Sequence, residues 1–492
     1  MASQSHQLHF ILFPFMAPGH MNPMIDIAKL LAHRGVVVSI ITTPQNSSRF
    51  GSTVARAVRA GLQINLVEIR FPSVEVGLPE GCENLDTLPS LNMATNFFDA
   101  LNLLQKEVEQ VFDEMKPRPS CLISDKALPW TSQIAEKFHI PRIVFHGTSC
   151  FSLLCSHNTT ASQILDKLNS DSDYFEVPNL PDRIKLRKSQ VTVSTIRNPA
   201  ALKDLIEQIR AAEKTSYGEV VNSFQELEAE YVKEYSKVKG EKVWCIGPVC
   251  LCNKDSLDLA DRGNWAAIDK QNCLKWLDSH EPRSVVYANL GSLARLTVEQ
   301  VTELALGLEE SNRPFIWALG GDKSGALEGW ISENGFEERT KNRGLLIRGW
   351  APQLLILSHQ ATGGFLTHCG WNSTVEGISA GVPMVTWPLF ADQFHNEKLV
   401  MEVLRIGVSL GVEVAVKWGE EEKVGVVVKK DDVKKALDLL MDEEGKEMRR
   451  KVRELGEMAT KAVEEGGSSH ANMTLLIEEI IAKSNHGGFS LN

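Results

Sequence analysis

Strand-length apolar runs alternating with helical segments along almost the whole chain predict an α/β protein of two doubly wound domains facing each other across a cleft. That alternation is the first of three observations. The second is length, since 492 residues suffice for two domains with full cores. The third is a break in the pattern. From Cys250 to about Gln271 the composition turns polar and non-periodic, as a linker between domains does. The expected division is a first domain at 1–249, a linker at 250–271, a second domain at 272–465 and a C-terminal helical segment at 466–492.

In the first domain, Leu8 to Phe13 reads as a buried strand, and the loop Ala17-Pro-Gly-His20-Met follows it. Asn22 is expected to cap a helix with Pro23 at its first position and Gly35 at its end, and Met24, Ile27, Leu30 and Leu31 line the apolar face. Val36 to Ile41 is the next strand. The connecting loop lacks G-x-G-x-x-G, so this is not a dinucleotide fingerprint. It places His20 at the C-terminal end of a strand, toward the crevice where ligands of open α/β sheets bind. Strand Ile64 to Ile69, a long helical region from Leu91 to Met115, and a strand from Cys121 to Ser124 leading into Asp125 come next. Taken alone, Asp125 reads equally well as a cap for the helix Trp130 to Phe138. Strands Pro141 to Phe145, Val220 to Phe224 and Val243 to Ile246 complete the domain.

The second domain opens with Leu274 to Leu277 and a strand from Ser284 to Leu290, which delivers Ser292 to the crevice as a small hydroxyl suited to phosphate. Helix Thr297 to Ser311 and strands Phe315 to Leu319 and Gly344 to Ile347 lead to the most informative run, Trp350 to Gln393. There Gly364 to Leu366 reads as a buried strand, His368-Cys-Gly-Trp-Asn-Ser as a tight polar turn, Thr374 to Ala380 as a helix stopped by Gly381, and Val382 to Trp387 as the next strand. The turn aims backbone N–H groups and the positive end of a helix dipole into the crevice, which suits a phosphate. His368, Asn372 and Ser373 add donors there. Glu376, early in the helix, can accept both hydroxyls of a ribose, Trp350 offers a flat face for a base, and Gln353 an amide beside it. Asp392 and Gln393 leave the end of a strand as an acid–amide pair. A base platform, a ribose carboxylate, a phosphate turn and a sugar-reading pair in one run describe a nucleotide-sugar site. Helices at about Lys430 to Met441, Gly445 to Glu464 and Asn472 to Ala482 close the chain.

Composition excludes several classes. With 43% hydrophobic and 23% charged residues the chain is an ordinary globular protein, and a diffuse net charge of −11 argues against nucleic acid as partner. The 9 cysteines form no repeating framework and are expected to be reduced core thiols; Cys250-Leu-Cys252 has no second pair or nearby His to make a zinc site. Leu8 to Phe15, interrupted by Pro14, is too short to span a membrane and lacks the flanks of a secretory signal. The expectation is a cytosolic monomer without a membrane anchor.

The run from Trp350 to Gln393 resembles the donor-binding signature of plant family-1 UDP-glycosyltransferases, matching at Trp350, Gln353, the core His368-Cys-Gly-Trp-Asn-Ser373, Glu376 and the closing Asp392-Gln393. Paired His20 and Asp125, and the stretches Val177-Pro-Asn-Leu-Pro181 and Asn222-Ser-Phe224, are also similar to that family. The resemblance covers essentially the whole chain. It implies the architecture called GT-B, two Rossmann-like domains facing across a cleft, with an acceptor-binding N-terminal domain, a UDP-sugar-binding C-terminal domain and a last helix packed back on the first. It further implies transfer of a sugar from UDP to an acceptor hydroxyl, with His20 as general base and Asp125 holding its far nitrogen. The donor set it implies is Ser292, Trp350, Ala351, Gln353, His368, Trp371, Asn372, Ser373, Glu376, Asp392 and Gln393. Gln at position 393 goes with glucose in that family, so UDP-glucose is the expected donor substrate. No cofactor is expected, and no metal, since the donor domain has no acidic D-x-D pair.

An acceptor opposite the leaving group implies inversion at the anomeric carbon. Acceptor choice is expected in loops after Pro72, around Asn84 to Asn96 and near His146 to Leu154, where Phe97, Phe98, Phe145, Phe151 and Leu153 suit an apolar plant metabolite such as a flavonoid, triterpenoid or steroid-like compound. For His146 a packing or surface role is preferred to acceptor contact, and His359 and His395 match no catalytic role. Two other classes compete: a UDP-sugar epimerase, and a non-catalytic UDP-sugar-binding protein on the same fold. Intact His20, Asp125 and donor turn argue against both.

Overall fold

The computed structural model describes residues 7–191, 199–294, 296–320, 325–417 and 420–486. The N-terminal half contains β1 (His9–Phe13), β2 (Val37–Thr42), β3 (Ile64–Glu68), β4 (Cys121–Asp125) and β5 (Arg142–His146), a small antiparallel hairpin of β6 (Tyr174–Glu176) and β7 (Lys185–Arg187), and then β8 (Gly218–Val221) and β9 (Val243–Cys245). All but the hairpin form one parallel sheet in the order β3-β2-β1-β4-β5-β8-β9. A parallel sheet covered on both faces needs unbroken apolar strands, and β1, His9-Phe-Ile-Leu-Phe, is buried throughout. Its side chains alternate between two cores: Phe10 and Leu12 join Ile27, Leu31 and Ile40, whereas Ile11 and Phe13 join Phe97, Leu101 and Ile134.

Helix α1 (Pro18–Ala32) follows β1, and α2 (Cys150–Ala161) follows β5. The start of α1 corrects the expected cap at Asn22. Pro18 occupies the first turn and Pro23 lies inside the helix. Pro23 has no N–H to bond the carbonyl four residues earlier, that of Gly19. The Gly19 oxygen instead accepts a hydrogen bond of 2.6 Å from Asn372 Nδ2, across the cleft. The proline that looked like a helix start thus frees an acceptor for the other domain.

In the C-terminal half, β10 (Val285–Asn289), β11 (Phe315–Leu319), β12 (Gly344–Arg348), β13 (Thr362–Thr367), β14 (Met384–Thr386) and β15 (Gly407–Ser409) form a second parallel sheet, ordered β12-β11-β10-β13-β14-β15. Helix α3 (Trp371–Ser379) follows β13 and α4 (Gln393–Lys398) follows β14. Because α3 begins at Trp371 and not Thr374, Trp371, Asn372 and Ser373 are its first turn. The last helix, α5 (Ser468–His486), returns to the first domain: Met473, Leu476 and Ile480 are buried among Phe10, Ile143 and Trp244, and Asn472 Nδ2 donates to the Cys245 carbonyl at 2.9 Å.

Elsewhere the elements differ from the sequence reading in predictable ways. The region from Leu91 to Met115 divides into Ala94–Leu103 and Gln105–Glu114, and helix Pro44–Arg59 was not expected. The linker carries local order in the short helix Ser256–Ala260, capped by the Asp255 carboxylate. No helix among the described residues is long and apolar enough to cross a membrane. Strand order reverses between β1 and β4 in one sheet and between β10 and β13 in the other, the switch points at which open α/β sheets form ligand crevices.

Candidate active site

At the first switch point, β1 and β4 pair so that Phe13 lies opposite Ser124, and the next residue of β4 is Asp125. Ala17 is extended and Pro18 fixes the entry into α1, which puts His20 in the first turn above the strand ends. The His20 Nδ1 to Asp125 Oδ2 distance is 2.6 Å; the imidazole is 32% exposed and the carboxylate 1%. Burial alone would raise the Asp125 pKa, but the imidazole of His20, the Ala127 N–H donating to Oδ1 at 2.9 Å, and nearby Lys126 together hold it below the usual range. With Nδ1 committed to a buried carboxylate, Nε2 is the ring nitrogen that Asp125 leaves unengaged. Phe15 sets its ring edge-on to His20 at 5.1 Å and stacks on Phe98 at 5.7 Å, so the imidazole has an apolar flank.

The second switch point gathers the donor run. Gln353 is its hub: Oε1 accepts from Asn289 Nδ2 at 2.9 Å, and Nε2 donates to Glu376 Oε2 at 2.7 Å and to Ser373 Oγ at 3.1 Å. The Gln353 N–H bonds the Ala351 carbonyl at 2.8 Å, which ties the Trp350 turn to this hub. His368 follows β13 with its Nδ1 buried and unpartnered. Its pKa is lowered to about 4, because burial outweighs the pull of the Asp392 carboxylate. Gly370 is required beside it, since a Cβ there would lie 2.4 Å from His368 Nε2. Asn372 reaches Gly19, and Asp392 Oδ2 accepts from Thr148 Oγ1 at 2.7 Å and Asn396 Nδ2 at 3.1 Å. Ser292, past β10, is exposed.

Several side chains have other partners than the sequence suggested. The Trp371 indole is buried, its N–H donating 2.7 Å to the Asn222 carbonyl of the first domain, so its ring serves domain contact and only its backbone lies in the helix start. Gln393 Oε1 accepts from the Leu389 and Phe390 N–H groups at 2.8 and 3.0 Å, leaving its NH₂ end for the cleft. The Trp350 indole N–H donates to the Arg262 carbonyl at 3.3 Å. Of the aromatics assigned to the acceptor loops, Phe145 is in the sheet core and Phe151 packs on Tyr231 at 4.8 Å, because residues 150–161 form α2 and not a loop. Phe97 is buried also, which leaves Phe98 and Leu153 partly accessible. His146 is buried 3.1 Å from Glu219, His359 lies 3.1 Å from Asp278, and His395 Nδ1 lies 3.1 Å from Ser152 Oγ of α2. Sequence reasoning missed Asp26, Thr148, Arg262 and Asn289, and it marked Asn222 only as part of a family-like stretch without a role; each acquires its partner only through folding. Among the described residues no group of three or more His, Cys, Asp or Glu is arranged to hold a metal ion, and the cysteines are free thiols, all buried but partly exposed Cys252.

A histidine–carboxylate pair at one switch point and a polar mesh at the other, joined across a cleft between two Rossmann-like sheets, define a GT-B glycosyltransferase. Comparison with known proteins narrows the class. The profile "UDP-glucoronosyl and UDP-glucosyl transferase" matches residues 265–444, and "Glycosyltransferase, N-terminal domain" matches 6–250. The chain is 56% identical to UDP-glycosyltransferase 73C25 of Barbarea vulgaris, covering 98% of this chain and 99% of the relative, and 57% identical to UDP-glycosyltransferase 73C6 of Arabidopsis thaliana, covering 97% and 98%. The crystal structure of Glycyrrhiza uralensis UGT73P12 complexed with glycyrrhetinic acid 3-O-monoglucuronide aligns with TM-score 0.90 at 37% identity, covering 98% of this chain and 97% of that one. Arabidopsis thaliana UGT89C1, in complex with UDP-L-rhamnose, aligns with TM-score 0.76 at 30% identity, covering 97% and 100%. The chain belongs to the plant family-1 UDP-glycosyltransferases.

Proposed function

We propose that the protein is an inverting O-glucosyltransferase that moves glucose from UDP-glucose to a hydroxyl of a small lipophilic plant metabolite. The observation that carries this reading is the 2.6 Å contact of His20 with buried Asp125, on the same helix turn that Asn372 of the donor loop grips through the Gly19 carbonyl. The turn that bears His20 and the first turn of α3 are thereby held together by a direct hydrogen bond.

The acceptor hydroxyl loses its proton to His20 Nε2 as its oxygen attacks the anomeric carbon; Asp125 fixes the tautomer and stabilises the imidazolium that forms. The bond from that carbon to the diphosphate oxygen breaks on the opposite face, so one displacement inverts the configuration and releases UDP. At α3, whose first N–H groups have no side-chain cap, the leaving diphosphate meets the positive end of the helix, with His368, Asn372, Ser373 and Ser292 as further donors. His368, neutral at pH 7 by its lowered pKa, acts there as a hydrogen-bond donor and not as a cation. Trp350 takes the base, with Ala351 and Gln353 beside it, and Glu376 the ribose. Asp392, the NH₂ end of Gln393 and the backbone at Trp371 read the sugar.

Support for a polycyclic acceptor comes from Phe15 and Phe98 beside His20 and from two relatives: UGT73P12 was solved with glycyrrhetinic acid 3-O-monoglucuronide, and UGT89C1, 30% identical, with quercetin. The test is UDP release from UDP-glucose with a panel of flavonols, triterpenoids and sterols. Acceptor-dependent release that collapses in His20→Ala supports the reading. Release that survives the substitution removes His20 as base, and UDP-glucose binding without release for any acceptor favours a binding protein.

A further inference from the structure

Arg262 lies in the linker just past helix Ser256–Ala260, with its side chain only 10% exposed between the two domains. Its Nη1 donates to Glu376 Oε1 at 2.5 Å. On its other side Nε and Nη2 both lie 2.8 Å from Asp26 Oδ2. Asp26 belongs to α1, less than two turns beyond His20. The carboxylate of Asp26 is itself held at 2.8 Å by Asn253 Nδ2, so both ends of the bridge are anchored.

The surrounding backbone is fixed to both domains as well. Trp350 Nε1 donates to the Arg262 carbonyl, and the Ala267 N–H donates 2.8 Å to the Trp350 carbonyl. Asp261 bonds Arg56 of the first domain at 2.7 Å. Gly263, at φ +95°, lies so close to Trp350 that a Cβ would fall 2.6 Å from its Cζ2. The linker is therefore laid against the indole, and its arginine enters between two carboxylates that belong to different domains.

We propose that Arg262 is a positioning residue for the transfer: its planar fork holds the Glu376 carboxylate in register with the helix that bears His20. The proposal rests on the reading of Glu376 as the ribose acceptor. A guanidinium presents its donors in a rigid plane, and a carboxylate has about four lone-pair sites. Glu376 gives one site to Arg262 and one to Gln353, which fixes its plane and leaves a site on each oxygen for a ribose hydroxyl. The same guanidinium fixes α1 through Asp26, so one side chain sets both the ribose receptor and the reach of the base.

The test compares binding of UDP and 2′-deoxy-UDP by calorimetry in the wild type, Glu376→Gln, Arg262→Gln and Arg262→Lys, with kcat and melting temperature measured alongside. In the wild type UDP binds about tenfold more tightly than the deoxy analogue, the value of one charge-assisted hydrogen bond. Glu376→Gln erases that ratio. Arg262→Gln erases it too and lowers kcat about tenfold, while Arg262→Lys, which keeps a cation but not the fork, stays below half the wild-type ratio. Should Arg262→Gln fail to fold, Arg262→Lys alone carries the test. A ratio lost in Glu376→Gln but intact in both Arg262 variants overturns the positioning role and leaves the ribose reading standing. A wild type that does not distinguish the two ligands overturns the ribose reading and the proposal with it.

Discussion

At the switch point of the first sheet the polar equipment is one histidine–carboxylate pair, His20 with buried Asp125, set beside the rings of Phe15 and Phe98. At the switch point of the second it is a mesh in which Gln353 joins Asn289, Ser373 and Glu376, and a neutral His368 stands at the start of a helix. The chemistry of each side explains the contrast. A base must gain and lose a proton, so it needs a fixed negative partner that stabilises its charged form. A site for a ligand that already carries charge works with dipoles and neutral donors, whose orientation is fixed before binding.

The largest expected effect breaks the histidine–carboxylate side. His20→Ala lowers kcat by ~10²–10⁴, the usual contribution of a general base, while UDP binding by calorimetry stays near wild type. Loss of both together would show that the two switch points are not separable. A pH series sharpens the neutral side. His395, buried at the contact of α4 with α2, has its pKa lowered to about 4 by burial, against the pull of the Asp392 carboxylate. Between pH 6.5 and about 4 the unfolded chain binds a proton at this residue that the native protein does not, so stability is complete above 6.5 and declines as pH falls through that window. The His395 share is about 3 kcal/mol. Melting temperatures from pH 7 to 4 should therefore fall less steeply in His395→Asn than in the wild type; parallel slopes would refute the assignment.

A smaller effect comes from Asp125→Asn, which keeps the side chain's shape but not its charge. A hydrogen bond between charged partners is worth ~1.5–3 kcal/mol, so kcat/KM falls ~10–10²-fold, and the fall is steeper in kcat than in KM for the acceptor. The smallest concerns the link between the two sides. Thr148→Val removes the Thr148 hydrogen bond to Asp392. KM for UDP-glucose rises about fivefold with little change in melting temperature, in line with ~1 kcal/mol for a single hydrogen bond. An unchanged KM would mean that this contact does not help to shape the donor side.

The two sides also differ in how much of them could be read in advance. Most of the donor set sits in the run from Trp350 to Gln393, where the order strand, turn, helix forces the polar residues onto one edge whatever the rest of the chain does. His20 and Asp125 are 105 residues apart, and only the family resemblance paired them before the sheet order placed β1 beside β4. The acceptor side was read least well. Phe145 and Phe151 looked like pocket residues because an apolar ring near a strand end has the same sequence signature whether it faces a ligand or a core. What separated them was α2, whose helix packs Phe151 against Tyr231. The misplaced start of α1 has a similar cause: Pro at a first helical position and Pro inside a helix both follow a polar residue, and the difference here lies in Asn372, which takes up the Gly19 carbonyl.

What the sequence determined by itself is the alternation of strands and helices and the local order of polar groups around His368 and Asn372. These follow from hydrophobic period and turn chemistry, which act over a few residues. The tertiary structure decided which distant side chains meet: Thr148 with Asp392 across 244 residues, Arg262 with Asp26 across 236, and Arg262 with Glu376 across 114. No local pattern encodes such pairings, because each becomes favourable only once tertiary packing has brought buried polar groups close enough to satisfy one another.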